Sequence, residues 1–289
     1  MSLQKDTAKG SDKKFIVIFT DLDGTLLDHV SYDWDEAKPA LDVCRDLRIP
    51  VIMVSSKTRA ELDIFRQEIG LPFPFISENG GGIFFPKEGS EKQPPGTVPT
   101  EDLWKGSIGA PYDILVTGLQ EIRDELGLSL QGFSELSLEE ISLLTGLDPK
   151  GSRLAAKREF DEPFIVLEDK HIDVDTLHDA AQKRGLMITR GGRFYHLHGK
   201  TDKGEAVKRI ISWYKDSYER VFTIALGDSP NDFPMLKQVD QPVLIRSQQN
   251  FPGIEEEIPG LIITREPGPE GWNSAVLEIL SKEKAEDIY

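Results

Sequence analysis

Short apolar runs recur along the chain, and the longest of them give way to polar clusters. FIVIF (15–19) is continuously apolar and rich in β-branched residues, the pattern of a strand covered on both faces. IPVIMV (49–54), FPFIS (73–77) and VFTIAL (221–226) repeat it, with shorter PVLI and LIIT runs near the end. Between them the apolar spacing lengthens to that of helices, at roughly 34–47, 58–69, 202–215 and 270–282. Gly70 and Pro72 close the second of these, and Val207, Ile210, Ile211 and Tyr214 share one face of the third. Strands alternating with helices predict an α/β fold around a parallel central sheet.

The pattern breaks at PKEGSEKQPPGTVPTED (86–102), whose Pro, Gly and charge mark a linker or excursion at a domain boundary. A second unit follows, with helical candidates PYDILVTGLQEIRDELG and SLEEISLLTGL and strand candidates PFIVLE, LMITR and RFYHLH. SLEE is a capping box, with Ser137 as N-cap and Glu140 three residues on. The expected organisation is a core built from 15–85 and 198–289, with a smaller α/β domain and its linker inserted at 86–197. Residues 1–14 are polar, carry no apolar stretch of a secretory signal, and read as a disordered lead-in.

Composition narrows the partners. Among 289 residues, 34 Lys and Arg face 50 Asp and Glu, a net charge of −16. Nucleic acid and anionic membrane surfaces select for basic patches, so neither is expected as a partner. A phosphorylated small molecule is compatible, because a local cation and a metal can dominate one cleft. The single cysteine, Cys44, permits neither an intrachain disulfide nor a thiolate cluster and reads as a packed core thiol. No run approaches the roughly 18 apolar residues of a membrane span, and a cytoplasmic protein is expected. The oligomeric state is open.

In a parallel sheet, ligands gather where the strands end. Here those ends carry TDLDGT, SSKT, ENGG and GDSPND. Asp21 and Asp23, two apart in extended chain, point the same way and repel unless a cation lies between them. A carboxylate at such a place can attack phosphorus, and a neighbouring acid can move the protons. Asp228 and Asp232 add hard oxygen ligands that suit Mg²⁺. The Ser55 hydroxyl, the Ser56 N–H and Asn231 are placed to hydrogen-bond phosphate, although the two serines read alone are better explained as a helix cap. Lys57, Glu78 and Asn79 lie at strand ends where a sugar hydroxyl or carboxylate can reach them. In the inserted unit, Arg190 and Arg193 flank two glycines, a pattern that fits either an anion clamp or a hairpin turn. His196 and His198 alternate on a strand; His196 is taken as a substrate contact rather than as half of a zinc site. Trp272 in EGWN reads as core packing.

DLDGT and GDSPND resemble the motifs of the haloacid dehalogenase superfamily of phosphohydrolases, and the motif order extends along the whole chain. The long segment between SSKT and TDKGE looks like the α/β cap of that superfamily's sugar-phosphatase branch. VSSKT, ISENGG, RGGRFYHLHG, GDSPNDFPML and EPGPEGWN are together similar to the mannosyl-3-phosphoglycerate phosphatases. The resemblance implies a Rossmann-like core with Asp21 as nucleophile and Asp23 as general acid and base. It implies Mg²⁺ ligation by Asp21, the Asp23 backbone carbonyl and Asp228, with Asp232 acting at one remove. It also favours Lys203 over Lys200 as the cation that neutralises phosphate. The implied reaction converts mannosyl-3-phosphoglycerate to mannosylglycerate and phosphate through an aspartyl-phosphate. A glucosyl-3-phosphoglycerate or sucrose-phosphate phosphatase, a phosphosugar mutase, and a non-enzymatic sugar-phosphate sensor are the alternatives. Asp28 and His29 have no expected role.

Overall fold

The structure, a computed structural model, describes residues 14–88, 93–167, 174–190 and 193–286. The lead-in up to residue 13 and the two glycines of RGGRF lie outside the described residues. Thirteen strands are described. The first half of the chain supplies β1 (Phe15–Thr20), β2 (Val51–Met53), β3 (Phe75–Ser77), β4 (Gly82–Pro86), β5 (Val98–Pro99) and β6 (Leu103–Ser107). The middle supplies β7 (Leu130–Gly132), β8 (Asp161–Val166), β9 (Met187–Arg190) and β10 (Tyr195–His198). The end supplies β11 (Val221–Gly227), β12 (Gln241–Arg246) and β13 (Ile262–Pro267).

The central sheet runs β13-β12-β11-β1-β2, and every neighbouring pair is parallel. A single parallel bridge, Val54 to Ile76, carries it on to β3. From β1 the chain winds outward to β2 on one side and later returns to β11 on the other. The crevice at the carboxyl ends of β1 and β11 is therefore the switch point of the sheet. The pairing runs from Phe15 opposite Val221 to Thr20 opposite Leu226, so both strands end level with each other.

Burial explains the apolar run of β1. Val17 and Phe19 join a cluster with Val207 and Ile210, whereas Ile18 joins another with Leu41, Trp272 and Val276. Each face of the strand thus meets its own layer of helices, and a fully buried side chain of this size contributes about 1.5–3 kcal/mol. The helices start and stop where local chemistry dictates. Thr58 and Glu61 form a capping box on Arg59–Ile69, and Gly70 ends that helix with φ +78. Ser137 and Glu140 do the same for Leu138–Thr145. Cys44 is buried in the core.

The Pro- and Gly-rich stretch carries a short strand, β5, and leads directly into β6. β5 and β6 fold back so that β3-β4-β6-β5 forms an antiparallel sheet beside the core, with Phe84 opposite Lys105. The chain leaves that sheet only after β6, where the Ile108 and Gly109 amides both donate to Gly81 O at 2.9 Å. Beyond it lies a second antiparallel sheet, β7-β8-β10-β9, with its own core of Leu115, Leu119, Phe164, Leu177 and Leu197. Among the described residues no helix is long and apolar enough to cross a membrane.

Trp272 joins the two ends of the chain: it is fully buried, and its Nε1–H donates to Thr20 Oγ1 at 3.0 Å. Trp272→Ala is expected to lower the unfolding free energy by about 3–5 kcal/mol. Denaturant titration followed by circular dichroism measures this, and a loss below about 1 kcal/mol would contradict it.

Candidate active site

The site begins where β1 stops pairing. The Asp21 N–H still donates to Leu226 O at 2.9 Å, so its side chain is fixed at the mouth of the sheet, and it remains 7% exposed. The chain then turns tightly, with Gly24 N–H donating to Leu27 O. Gly24 adopts φ +78, and a Cβ there would lie 2.8 Å from Asp228 Oδ2. Only glycine lets the β1 turn pass this close to the β11 loop.

Lys203 enters from the second segment, as the first residue of helix Lys203–Lys215. Its Nζ donates to Asp21 Oδ1 and to Asp232 Oδ1, each at 2.6 Å, and its side chain is fully buried. The ENGG loop after β3 sets its position, since a Cβ on Gly80 would meet Asp202 O at 2.2 Å. Asp232 in turn organises the β11 loop. Its Oδ2 accepts from Asp228 N at 3.0 Å, Ser229 N at 3.1 Å and Ser229 Oγ at 3.0 Å.

Asp21, Asp228 and Asp232 offer carboxylate oxygens that all lie within 4.8 Å of one another. One ammonium serves these three acids. Burial pushes the Asp21 carboxyl up to about 8 despite the pull of Lys203, with Asp232 and Asp23 adding to the rise. Burial, then the Asp232 charge, pushes Asp228 up to about 6. Lys203 moves the other way: burial works against its charge, but Asp21 and Asp232 outweigh burial and hold it above the ordinary lysine range. Hard oxygen donors with two negative charges in excess of the lysine fit a divalent cation such as Mg²⁺. Asp232 has donors on both oxygens, so Asp21 and Asp228 are the better direct ligands.

Asp23 faces a neighbouring cavity. Its Oδ2 accepts from Lys57 Nζ at 2.9 Å, while its Oδ1 is buried without a partner. An unsatisfied buried carboxylate oxygen is costly, and a ligand hydroxyl donating to it would satisfy it. Burial works against the Lys57 charge, but Asp23 and Glu61 outweigh it and hold that lysine above its ordinary range. The cavity, of about 220 Å³, lies between the core and the inserted unit. Asp23, Ser56 and Lys57 line it from the core; Arg158, His196, Phe133 and Phe194 line it from the other side.

The other expected site residues divide. Ser55 is buried at the end of the second strand, where its Oγ accepts from Lys57 N at 3.2 Å. Asn231 Nδ2 donates to Asn79 Oδ1 at 3.3 Å, which ties the β11 loop to the ENGG loop beside the cluster. His196 lines the cavity and shares Nδ1 with Asp161 Oδ2 at 2.8 Å. The Glu78 carboxylate accepts the Glu159 N–H at 3.1 Å and the Phe160 N–H at 2.8 Å. Burial, opposed by Arg158, pushes Glu78 up to about 7. Arg193 Nη1 donates to Leu144 O at 2.9 Å and Thr145 O at 3.0 Å, supplying donors to the carbonyls that a helix end leaves unpaired. Arg190 packs over the Tyr195 ring at 5.5 Å, pairs with Tyr195 across antiparallel strands and does not line the cavity. Asp28 accepts from Ser31 N at 2.8 Å and serves its own turn.

Arg158 was not legible beforehand. It sits in KREF between a short helix and β8, with no motif around it, and only the fold brings it to Ser56 O, 3.0 Å from its Nη1.

The chain belongs to the haloacid dehalogenase-like hydrolase family, which matches residues 18–93 and 165–249. It is 40% identical over 271 residues to the glucosyl-3-phosphoglycerate/mannosyl-3-phosphoglycerate phosphatase of Methanococcoides burtonii, covering 92% of this chain and 97% of that protein. The mannosyl-3-phosphoglycerate phosphatase of Pyrococcus horikoshii is 36% identical over 240 residues, 80% of this chain and 90% of that one. Among solved structures, a phosphatase of the same superfamily from Bacteroides thetaiotaomicron superposes with a TM-score of 0.63 at 17% identity. That match covers 96% of this chain and 97% of the other, and it shows a shared fold.

Acids held above their ordinary range bind protons more tightly in the folded than in the unfolded state. Asp228, Glu78 and Asp21, ordinarily near 3.8, 4.5 and 3.8, are raised to about 6, 7 and 8. The stability of the metal-free protein is therefore expected to fall as pH rises from about 4 to about 8. Saturating Mg²⁺ is expected to raise the melting temperature more at pH 8 than at pH 5. Thermal melts with chelator and with Mg²⁺ at both pH values check this; a chelated protein more stable at pH 8 than at pH 5 would contradict it.

Proposed function

We propose that the protein is a Mg²⁺-dependent phosphatase that hydrolyses mannosyl-3-phosphoglycerate, and its glucosyl counterpart, through an aspartyl-phosphate on Asp21. The observation that carries this reading is the buried lysine shared by Asp21 and Asp232 at the switch point of the sheet. The substrate class draws support from the two relatives, whose names specify these glycosyl-phosphoglycerates.

In this reading Lys203 opposes the effect of burial on Asp21, favouring its ionised form, and draws the anionic phosphoryl group toward it. Mg²⁺, held by Asp21, Asp228 and the Asp23 carbonyl, would supply the charge that offsets repulsion between phosphate and carboxylate. Asp21 attacks phosphorus as the ester oxygen leaves, and Asp23 gives that oxygen its proton. Asp23 then takes a proton from the water that attacks the acyl phosphate, which frees phosphate and regenerates Asp21. Lys57, paired with Asp23, orients its carboxylate between the two steps. Ser55, the Ser56 N–H and Asn231 position phosphoryl oxygens. His196 faces the sugar-bearing half of the substrate. Glu78 supports the site through the 159–160 backbone.

We place the inserted unit at about 110–198, after β6 rather than from 86, because β5 and β6 pair with the core-side sheet. It covers the site from the face opposite Asp23 and selects the leaving group. The substrate is a small, water-soluble phosphate ester, and we assign the enzyme to the cytoplasm.

Asp21→Asn is expected to lower kcat by at least about 10³-fold with an unchanged circular dichroism spectrum. Phosphate release from mannosyl-3-phosphoglycerate, glucosyl-3-phosphoglycerate and p-nitrophenyl phosphate, with Mg²⁺ and with EDTA, is the assay. Activity within tenfold of the wild type in that variant, or full activity in EDTA, would overturn the reading.

A further inference from the structure

The nucleophile, the proton carrier and the metal cluster account for the phosphate end of a substrate. They leave unexplained one cationic side chain of the cavity, in a chain of net charge −16. Lys57 is accounted for by its pairing with Asp23. Arg158 is not part of the phosphate machinery, yet it lines the same cavity together with His196.

Arg158 is built into place. Its Nε donates to Ala155 O at 2.9 Å, and its Nη1 donates to Ser56 O at 3.0 Å and reaches Asp161 Oδ2 at 3.3 Å. The side chain keeps 9% exposure, and Asp161 behind it keeps 3%. The same Asp161 oxygen holds His196 Nδ1 at 2.8 Å. Arg158 and His196 are thus fixed side by side on one buried carboxylate. None of these bonds uses Arg158 Nη2, and none uses His196 Nε2. The unused Nη2 of a rigid planar guanidinium can donate to a carboxylate, and burial strengthens such a contact. The neutral His196 ring, whose Nδ1–H donates to Asp161, presents Nε2 as an acceptor suited to a hydroxyl. The bond to Ser56 O keeps this group one residue from Lys57 and thus within reach of a leaving group whose ester oxygen is at Asp23.

We propose that Arg158 determines specificity by binding a carboxylate carried on the leaving group of the phosphate ester, while His196 beside it accepts from a hydroxyl of that group. The substrate is then an anion at both ends, with phosphate at Asp21 and carboxylate at Arg158. Asp161 is a positioning residue that acts through the two cavity side chains. The assignment rests on the phosphatase reading given above and names the residue that recognises the glycerate carboxylate of its substrate.

The test compares three substrates: mannosyl-3-phosphoglycerate, its analogue with the carboxylate reduced to a hydroxymethyl group, and p-nitrophenyl phosphate. The wild type is expected to prefer the first over its reduced analogue by about 100-fold in kcat/KM. Arg158→Gln is expected to remove most of that preference by raising KM for the carboxylate substrate. It should change p-nitrophenyl phosphate turnover by less than about threefold. Arg158→Lys, which keeps the charge without the fork, should fall between. Equal losses on all three substrates would make Arg158 a structural brace and overturn the proposal, as would an unchanged preference. Binding of mannosylglycerate, measured by calorimetry, reads the same contact without turnover, and equal affinity for the wild type and Arg158→Gln would also overturn it. Failure of the phosphatase reading has a different signature, a wild type that releases phosphate from none of the three.

Discussion

The structure around the site depends on one interaction, the buried Lys203 ammonium held between Asp21 and Asp232. A lysine with no exposure survives in the interior only where opposite charge offsets its desolvation, and two carboxylates at 2.6 Å do so here. Removing either acid would leave that charge underpaired. The arrangement ties three separate stretches of chain into one geometry: the end of β1, the start of helix Lys203–Lys215 and the loop after β11. It also leaves an excess of negative charge facing outward, and the acceptance of a divalent cation follows from that excess.

Close backbone approach is what the interaction demands of the rest of the fold. Gly24 lets the β1 turn pass Asp228, and Gly80 lets the ENGG loop rest on the backbone that carries Lys203. Phe160 packs against Gly81 and Gly109, and Glu78 takes the amides on either side of the Glu159–Phe160 peptide. The inserted unit is thereby attached to the core close to the acidic cluster. Its position relative to Asp23 is set by side chains that belong to both.

Much of this was legible in the amino-acid order because strand ends advertise themselves. A continuous apolar run such as FIVIF can only be a doubly covered strand, and polar residues immediately after it must gather at one sheet edge; Asp21, Ser55, Asn79 and Asp228 did so. Lys203 needed the family resemblance, since a lone lysine at a helix start carries no signal of burial. Three features escaped for physical reasons. β5 and β6 lie in a Pro- and Gly-rich segment whose strand character comes only from pairing with β4. The backbone bonds of Glu78 and Arg193 escaped because a charged side chain near a turn reads the same in sequence whether it meets substrate or unpaired backbone. Arg158 was silent because its neighbours in space, Ser56 and His196, are far from it in sequence.

The account predicts a division of labour between two acids only two residues apart. Asp21, on the lysine, bonds to phosphorus; Asp23, on Lys57 with one oxygen unsatisfied, moves protons. Trapping the intermediate tests this most directly. Enzyme quenched during turnover and reduced with borohydride converts an aspartyl-phosphate to homoserine, which peptide mass spectrometry locates. The account predicts homoserine at position 21 and none at position 23. Homoserine at any other aspartate, or a quenched enzyme with none despite active turnover, would contradict it.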